Sequence, residues 1–224
     1  MNDKEFIKQI NPHYDWDNPD NQACIADVMA YDSAFSANDT TFIQAAEHKA
    51  LKGANGYAVG LMVDSPWGQN KVLSAEHENG VDIVVKEITV KSGFMLSLQR
   101  HRGRAEVWAV KSGTLSVIAD GKRIEVKAGE DITLPKGSVH CMNNVHDVPV
   151  TVVETQTGIC READNVRLLD FNGRPTIPLT TLNEAKSAML YAQMHLEIQD
   201  KYDCDVAPET AFLSQSYQDI LKDV

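Results

Sequence analysis

Nowhere does this chain carry the roughly 18 consecutive apolar residues that a membrane-spanning helix needs. Its opening, Met-Asn-Asp-Lys-Glu-Phe, lacks the apolar core of a secretory signal. Cysteine is scarce: Cys24, Cys141, Cys160 and Cys204 are scattered, with no closely spaced pair. The four therefore read as reduced thiols of a cytoplasmic protein. Positive charge is also short, with 21 Lys and Arg against 32 Asp and Glu and a net charge of −11. A nucleic-acid partner is therefore not expected. There is no internal repeat, no low-complexity tract, and no Gly-rich phosphate loop near the N-terminus.

What the chain does have is an ordinary globular composition, 43% hydrophobic and 24% charged over 224 residues. That length buries a full core without staples. Its most informative feature is Gln99-Arg100-His101, then Glu106, then His140. Residues two apart on a strand face the same side. Gln99 and His101 are therefore expected to point together, with Phe94, Leu96 and Leu98 on the opposite face. Arg102-Gly103-Arg104 reads as a turn, after which Glu106, Trp108 and Val110 share a face of the returning strand. Thr114 to Ala119 begins another strand, and Asp120-Gly121 is a two-residue hairpin signal before the next. Pro135-Lys136-Gly137 is a tight turn leading into a strand that carries His140. Many short strands at this spacing read as a sandwich or barrel. Two imidazoles, a carboxylate and an amide oxygen can then converge on one divalent metal, a donor set that does not choose among Zn, Mn, Fe, Co and Ni. Gln99 either ligates directly or hydrogen-bonds a metal-bound water.

At these residues the chain resembles the cupins, whose two sequence motifs match 93–113 and 129–144. Gln99 stands where most cupins carry a histidine. With Arg104-Ala105-Glu106 and Trp108, this resembles the cupin domain of type II mannose-6-phosphate isomerases. Ser65-Pro66-Trp67-Gly68, Glu154-Thr155-Gln156-Thr157-Gly158 and Asp170-Phe171-Asn172-Gly173-Arg174 match further pieces of that family. The resemblance implies an all-β core, a double-stranded β-helix or jelly roll. It departs at Val107, where the family usually has a histidine, and at 161–165, where it has an acidic run.

The expected organisation is an N-terminal helical extension over 1–64 that packs on the barrel, a cupin barrel over 65–174, and C-terminal helices over 175–224. Helical apolar spacing occurs at 23–35, 41–52 and 185–199, with Thr181-Leu182-Asn183-Glu184 as a capping box. Pro208 suits the first turn of a last short helix. Such helices must pack on the barrel or on a second subunit, so a homodimer is one arrangement the sequence admits.

Other residues have weighed roles. Arg100 and Arg102 alternate with the ligands and are expected to be solvated. Arg104, placed at the barrel mouth, and Lys136, in the turn before His140, are candidate anchors for a substrate anion. Trp108 is either core or a wall of the substrate pocket. Arg174 either serves the site or ties down the segment after the barrel. Glu154 shares a strand face with Val150 and Val152. A carboxyl at the end of an apolar face has its pKa raised, which suits a proton shuttle; the alternative is a structural pairing, for instance with Arg104. The resemblance implies a metal-dependent aldose–ketose isomerase acting on a sugar or sugar phosphate through an enediol; Glu154 and Arg104 are the candidate catalytic residues from their placement in the strands. Alternatives are another cupin metalloenzyme, such as an Fe(II) dioxygenase, and a non-catalytic sugar-binding module.

Overall fold

The structure is a computed structural model that describes residues 59–60, 62–78, 81–160, 165–172, 174 and 176–202. The expected helices at 23–35, at 41–52 and from Pro208 lie outside the described residues. Twelve strands and one helix make up the described part. One sheet runs in the order β1 (Met62–Ser65), β2 (Gly68–Glu78), β3 (Val81–Val90), β11 (Val150–Gly158), β6 (Arg104–Ser112), β9 (Asp131–Leu134). The other runs β12 (Asn165–Leu169), β5 (Leu98–His101), β10 (His140–Asn144), β7 (Thr114–Ala119), β8 (Lys122–Lys127), with the short β4 (Phe94–Met95) also pairing β10. All pairings are antiparallel.

Alternation builds the interior. On β6, Arg104, Glu106, Trp108 and Val110 are buried, and on β11, Val150, Val152, Glu154 and Gln156. One end of this inner face is apolar: Trp67, Ile88, Val90, Trp108, Val110, Val117, Met142, Val150 and Val152 form a single cluster. The other end is polar and carries the candidate site. The β7–β8 hairpin turns at Asp120-Gly121, both with positive φ (47° and 72°), the conformation that matches the twist of paired strands.

The second sheet buries its outer face under α1 (Leu182–Tyr202). Leu98, Ile118, Cys141, Val166 and Leu168 meet Ala185, Ala188, Tyr191, Ala192 and Ile198 there. The helix starts with a reciprocal capping box: the Glu184 amide donates to Thr181 Oγ1 at 3.1 Å, and the Thr181 amide donates to Glu184 Oε2 at 3.0 Å. The other Glu184 oxygen accepts from Arg100 Nε at 2.8 Å, with both side chains buried. Arg100 is therefore not solvated. It does face away from the ligands, but the helix covers that face.

A second expectation also fails. Phe94 and Leu96 pack against the inner cluster, whereas Leu98 belongs to the helix-side cluster. The strand is interrupted at 96–97, and the break shifts the alternation by one residue.

Candidate metal centre

His101, on β5, and His140, on β10, face the interior because their strands pair: His140 lies opposite Gln99 in the register. Glu106 comes from the facing sheet. One donor atom from each of the three lies within 4.8 Å of the other two, and all three residues are buried. His101 Nε2 is 3.1 Å from Glu106 Oε1, and His140 Nε2 is 3.7 Å from Glu106 Oε2. The turn that carries Lys136 docks here, with the Gly137 amide donating to the His101 carbonyl at 2.8 Å. Opposite it, a Cβ on Gly158 would collide with the Gly103 carbonyl oxygen, so only glycine lets β11 close on the 102–103 turn.

The protonation pattern suits a cation. His140 Nδ1 donates to the Ser138 carbonyl at 2.9 Å, which leaves Nε2 as the lone-pair nitrogen. That atom is buried with no hydrogen-bond partner. Burial pushes His101 down to about 3 and also lowers His140, so both rings are neutral near pH 7. Burial alone would raise Glu106, but the His101 and His140 rings, which carry charge only in the acid range where this carboxyl titrates, and the permanently charged Arg104 guanidinium outweigh it and hold the carboxyl well below its usual range. Two neutral imidazoles and one carboxylate form a donor set that a divalent transition metal fits, and the orphaned His140 Nε2 is the atom that most needs one.

Gln99 sits at the edge of this cluster. Its Oε1 accepts from Ser97 Oγ at 2.7 Å and from Asn165 Nδ2 at 2.9 Å, and its Nε2 lies 3.3 Å from His101 Nε2. Trp108 is buried, its Nε1 donates to Glu106 Oε2 at 3.0 Å, and its ring meets His140 edge-on with centroids 5.3 Å apart. It belongs to the inner apolar cluster and touches two of the three donors.

Arg104 lies deeper than the barrel mouth. It is 3% exposed, donates from Nε to Glu106 Oε1 at 3.0 Å, and places a terminal nitrogen 3.1 Å from His101 Nε2. Being two residues before Glu106 on one strand puts it on the same face. Lys136 is exposed in its turn. Arg174 forms a two-pronged pair with Asp170, at 2.8 and 2.9 Å.

Glu154 is buried beside the cluster. Gln156 Nε2 donates both to Glu154 Oε2 at 2.8 Å and to Glu106 Oε1 at 3.1 Å, bridging the two carboxyls. Lys86 Nζ lies 3.7 Å from Glu154. Burial and the nearby Glu106 charge push Glu154 up to about 7, against the pull of Lys86 and Arg104. Sequence reasoning did not single out Gln156, Lys86, Ser97 or Asn165. Gln156 was open to discovery, two residues beyond Glu154 on the inward face. Lys86 and Asn165 come into place only through register, opposite Glu154 and His101.

The sequence pattern described as mannose-6-phosphate isomerase C-terminal matches residues 52–170. Among curated proteins, mannose-1-phosphate guanylyltransferase of Escherichia coli K12 is 37% identical over 123 residues, 54% of this chain and 25% of that protein. The alginate biosynthesis protein AlgA of Pseudomonas aeruginosa is 38% identical over 114 residues, 50% of this chain and 23% of that protein. The aligned part is thus about a quarter of the length of these relatives. Similar solved structures include KdgF from Halomonas sp., at 15% identity and TM-score 0.40, covering 46% of this chain and 89% of that one. A cupin 2 conserved barrel domain protein from Salinispora arenicola has 22% identity and TM-score 0.35, covering 39% and 73%. Among the described residues no helix is long and apolar enough to cross a membrane. With just over half its length matched by the family pattern, and with paired motifs on two facing antiparallel sheets, the chain belongs to the mannose-6-phosphate isomerase C-terminal family, and its barrel is a cupin.

Proposed function

We propose that this protein is a metal-dependent aldose–ketose isomerase acting on a sugar phosphate. The observation that carries the reading is the contrast between two bridged carboxyls. Glu106 is held ionised among the histidines, while Glu154, one amide away through Gln156, is poised near neutrality. Paired groups pushed apart in this way divide into a charge-stabilising role and a proton-transfer role.

His101, Glu106 and His140 would hold one divalent metal, with Gln99 in or beside its ligand set. When bound, the metal supplies Lewis-acid stabilisation of the oxyanion that develops as the proton leaves carbon. Glu154 takes the proton from C2 of the aldose; the C2–H electron pair forms C1=C2, and the C1=O pair moves onto O1, which takes up a proton to give the enediol. Glu154 then returns its proton to C1 as the O2 hydroxyl loses its proton and C2=O forms. The product has the same atoms and no oxidant is used. Lys86 and Gln156 keep the Glu154 carboxyl oriented. Lys136, exposed in its turn, binds the phosphate by charge-assisted hydrogen bonds, while the buried Arg104 guanidinium serves the site by holding Glu106 and meeting His101. The test is metal analysis of the purified protein, then isomerase assays of the loaded form over phosphorylated and free sugars. Turnover of a phosphorylated aldose under argon supports the reading, and no isomerisation of any sugar rejects it.

A second reading has its own observation. Two histidines and one carboxylate facing a common point are also the set used by Fe(II) oxygenases. Oxygen uptake by the iron-loaded protein, with no isomerisation, would favour it.

A further inference from the structure

We propose that Asn165 is a positioning residue that lets Gln99 present its carbonyl oxygen to a metal, the two amides turning over together. The inference rests on the reading that His101, Glu106 and His140 hold a metal.

In the structure Gln99 presents the wrong atom. Its Nε2 lies 3.3 Å from His101 Nε2, and its Oε1 is turned back to accept from Ser97 Oγ and Asn165 Nδ2. This orientation suits a metal-free site, where an N–H can meet the imidazole lone pair. A cation at that lone pair reverses the preference: an amide donor would point its hydrogens at positive charge, whereas the carbonyl oxygen is a ligand. Rotating the Gln99 amide then swings Nε2 onto Ser97 and Asn165. Ser97 Oγ accommodates this, because a hydroxyl both donates and accepts. Asn165 as it stands cannot, since its Nδ2 would face another N–H₂.

Asn165 is nevertheless free to follow. Its Oδ1 is buried with no hydrogen-bond partner, so nothing at the far end of the amide fixes which way round it sits. The register holds Asn165 opposite His101, and its hydrogen bond reaches Gln99 on the inner face. After both amides turn, Gln99 Nε2 donates to Asn165 Oδ1 and Gln99 Oε1 faces the metal cluster. Asn165 therefore acts through Gln99 and touches neither metal nor substrate.

The test is titration of the metal-free full chain with Co²⁺, whose visible spectrum reports the ligand set. Asn165→Leu cannot accept from Gln99 and is expected to weaken Co²⁺ binding about 10–100-fold, the usual cost of losing a partner that orients a metal ligand. Its spectrum should shift toward that of Gln99→Ala. Asn165→Ala, which leaves no new bulk, should do the same. Asn165→Asp accepts only, so it should keep the wild-type spectrum and bind at least as tightly. In a Gln99→Ala background, Asn165→Leu should cost nothing further. Wild-type affinity and spectrum in Asn165→Leu and Asn165→Ala would overturn the proposal. So would an equal loss in the Gln99→Ala background, or a loss in Asn165→Asp matching that in Asn165→Leu. Absence of Co²⁺ binding by the wild type is a different result: it rejects the metal reading itself, and this proposal with it.

Discussion

Arg104 holds Glu106 from two residues away on the same strand face, its Nε donating to Glu106 Oε1 at 3.0 Å while a terminal nitrogen lies 3.1 Å from His101 Nε2. A guanidinium thus occupies lone pairs that a metal would use. Truncating one partner of a buried ion pair costs about 3–5 kcal/mol. Arg104→Ala is expected to lower the stability of the metal-free protein by that order and to enlarge the stabilisation gained on adding Mn²⁺. Thermal unfolding with and without Mn²⁺ checks this, and an unchanged metal-induced shift would count against it.

His101→Ala and His140→Ala should each abolish stoichiometric metal while leaving a folded chain, because each removes one of three converging donors. Elemental analysis beside circular dichroism reads both properties. Full metal content in either variant would place the metal elsewhere.

Glu154→Gln preserves shape but removes the basic oxygen. It should leave metal content unchanged and lower isomerase turnover about 10²–10⁴-fold, the usual share of general acid–base catalysis. Because Glu154 sits at about 7, the wild-type rate should rise with pH through that value, as the carboxyl loses its proton and becomes a base. A variant with wild-type turnover would move the base to another residue.

His195, on α1, is buried against the Phe171 ring at 4.3 Å, and neither ring nitrogen has a partner. Burial lowers it from 6.5 to about 4. Between those values the unfolded chain binds the extra proton, so stability is complete above pH 6.5 and falls as pH drops toward 4. His195→Leu should lose less stability than the wild type between pH 7.5 and 5. At pH 7.5 it should be equal to or more stable than the wild type, by up to roughly 1–3 kcal/mol, the cost of an unsatisfied buried polar group. Urea denaturation at both values decides it, and parallel losses would show that His195 does not titrate with unfolding.

Arg100 and Glu184 join β5, next to the candidate ligands, to the first turn of α1 at 2.8 Å. Arg100→Ala leaves a buried carboxylate whose remaining partners are the donors of Thr180 and Thr181. A destabilisation of about 3–5 kcal/mol is expected. Chemical denaturation measures it, and a change within 0.5 kcal/mol, about the range of ordinary surface substitutions, would mean the pair is solvated in solution.

Local chemistry alone determined a good part of this protein. Asp120-Gly121 dictates a tight hairpin because both positions need positive φ. Thr181 and Glu184 dictate a helix start because each completes the other's hydrogen bond. The two-residue period puts Gln99 with His101, Glu106 with Trp108, and Val150 with Glu154. These interactions span a few residues, so the order of amino acids contains them whole. The period also implied that Arg104 shares the face of Glu106, but whether that face was mouth or interior depended on the strands opposite. Tertiary structure decided the rest. The break at 96–97 moved Phe94 and Leu96 to the inner face. A helix more than eighty residues away made Arg100 buried rather than solvated. Only sheet register brought Lys86 to Glu154 and Asn165 to Gln99. Each of these depends on which strand lies alongside which, and that is settled by packing the whole barrel, where the burial of one face fixes the partners of the other.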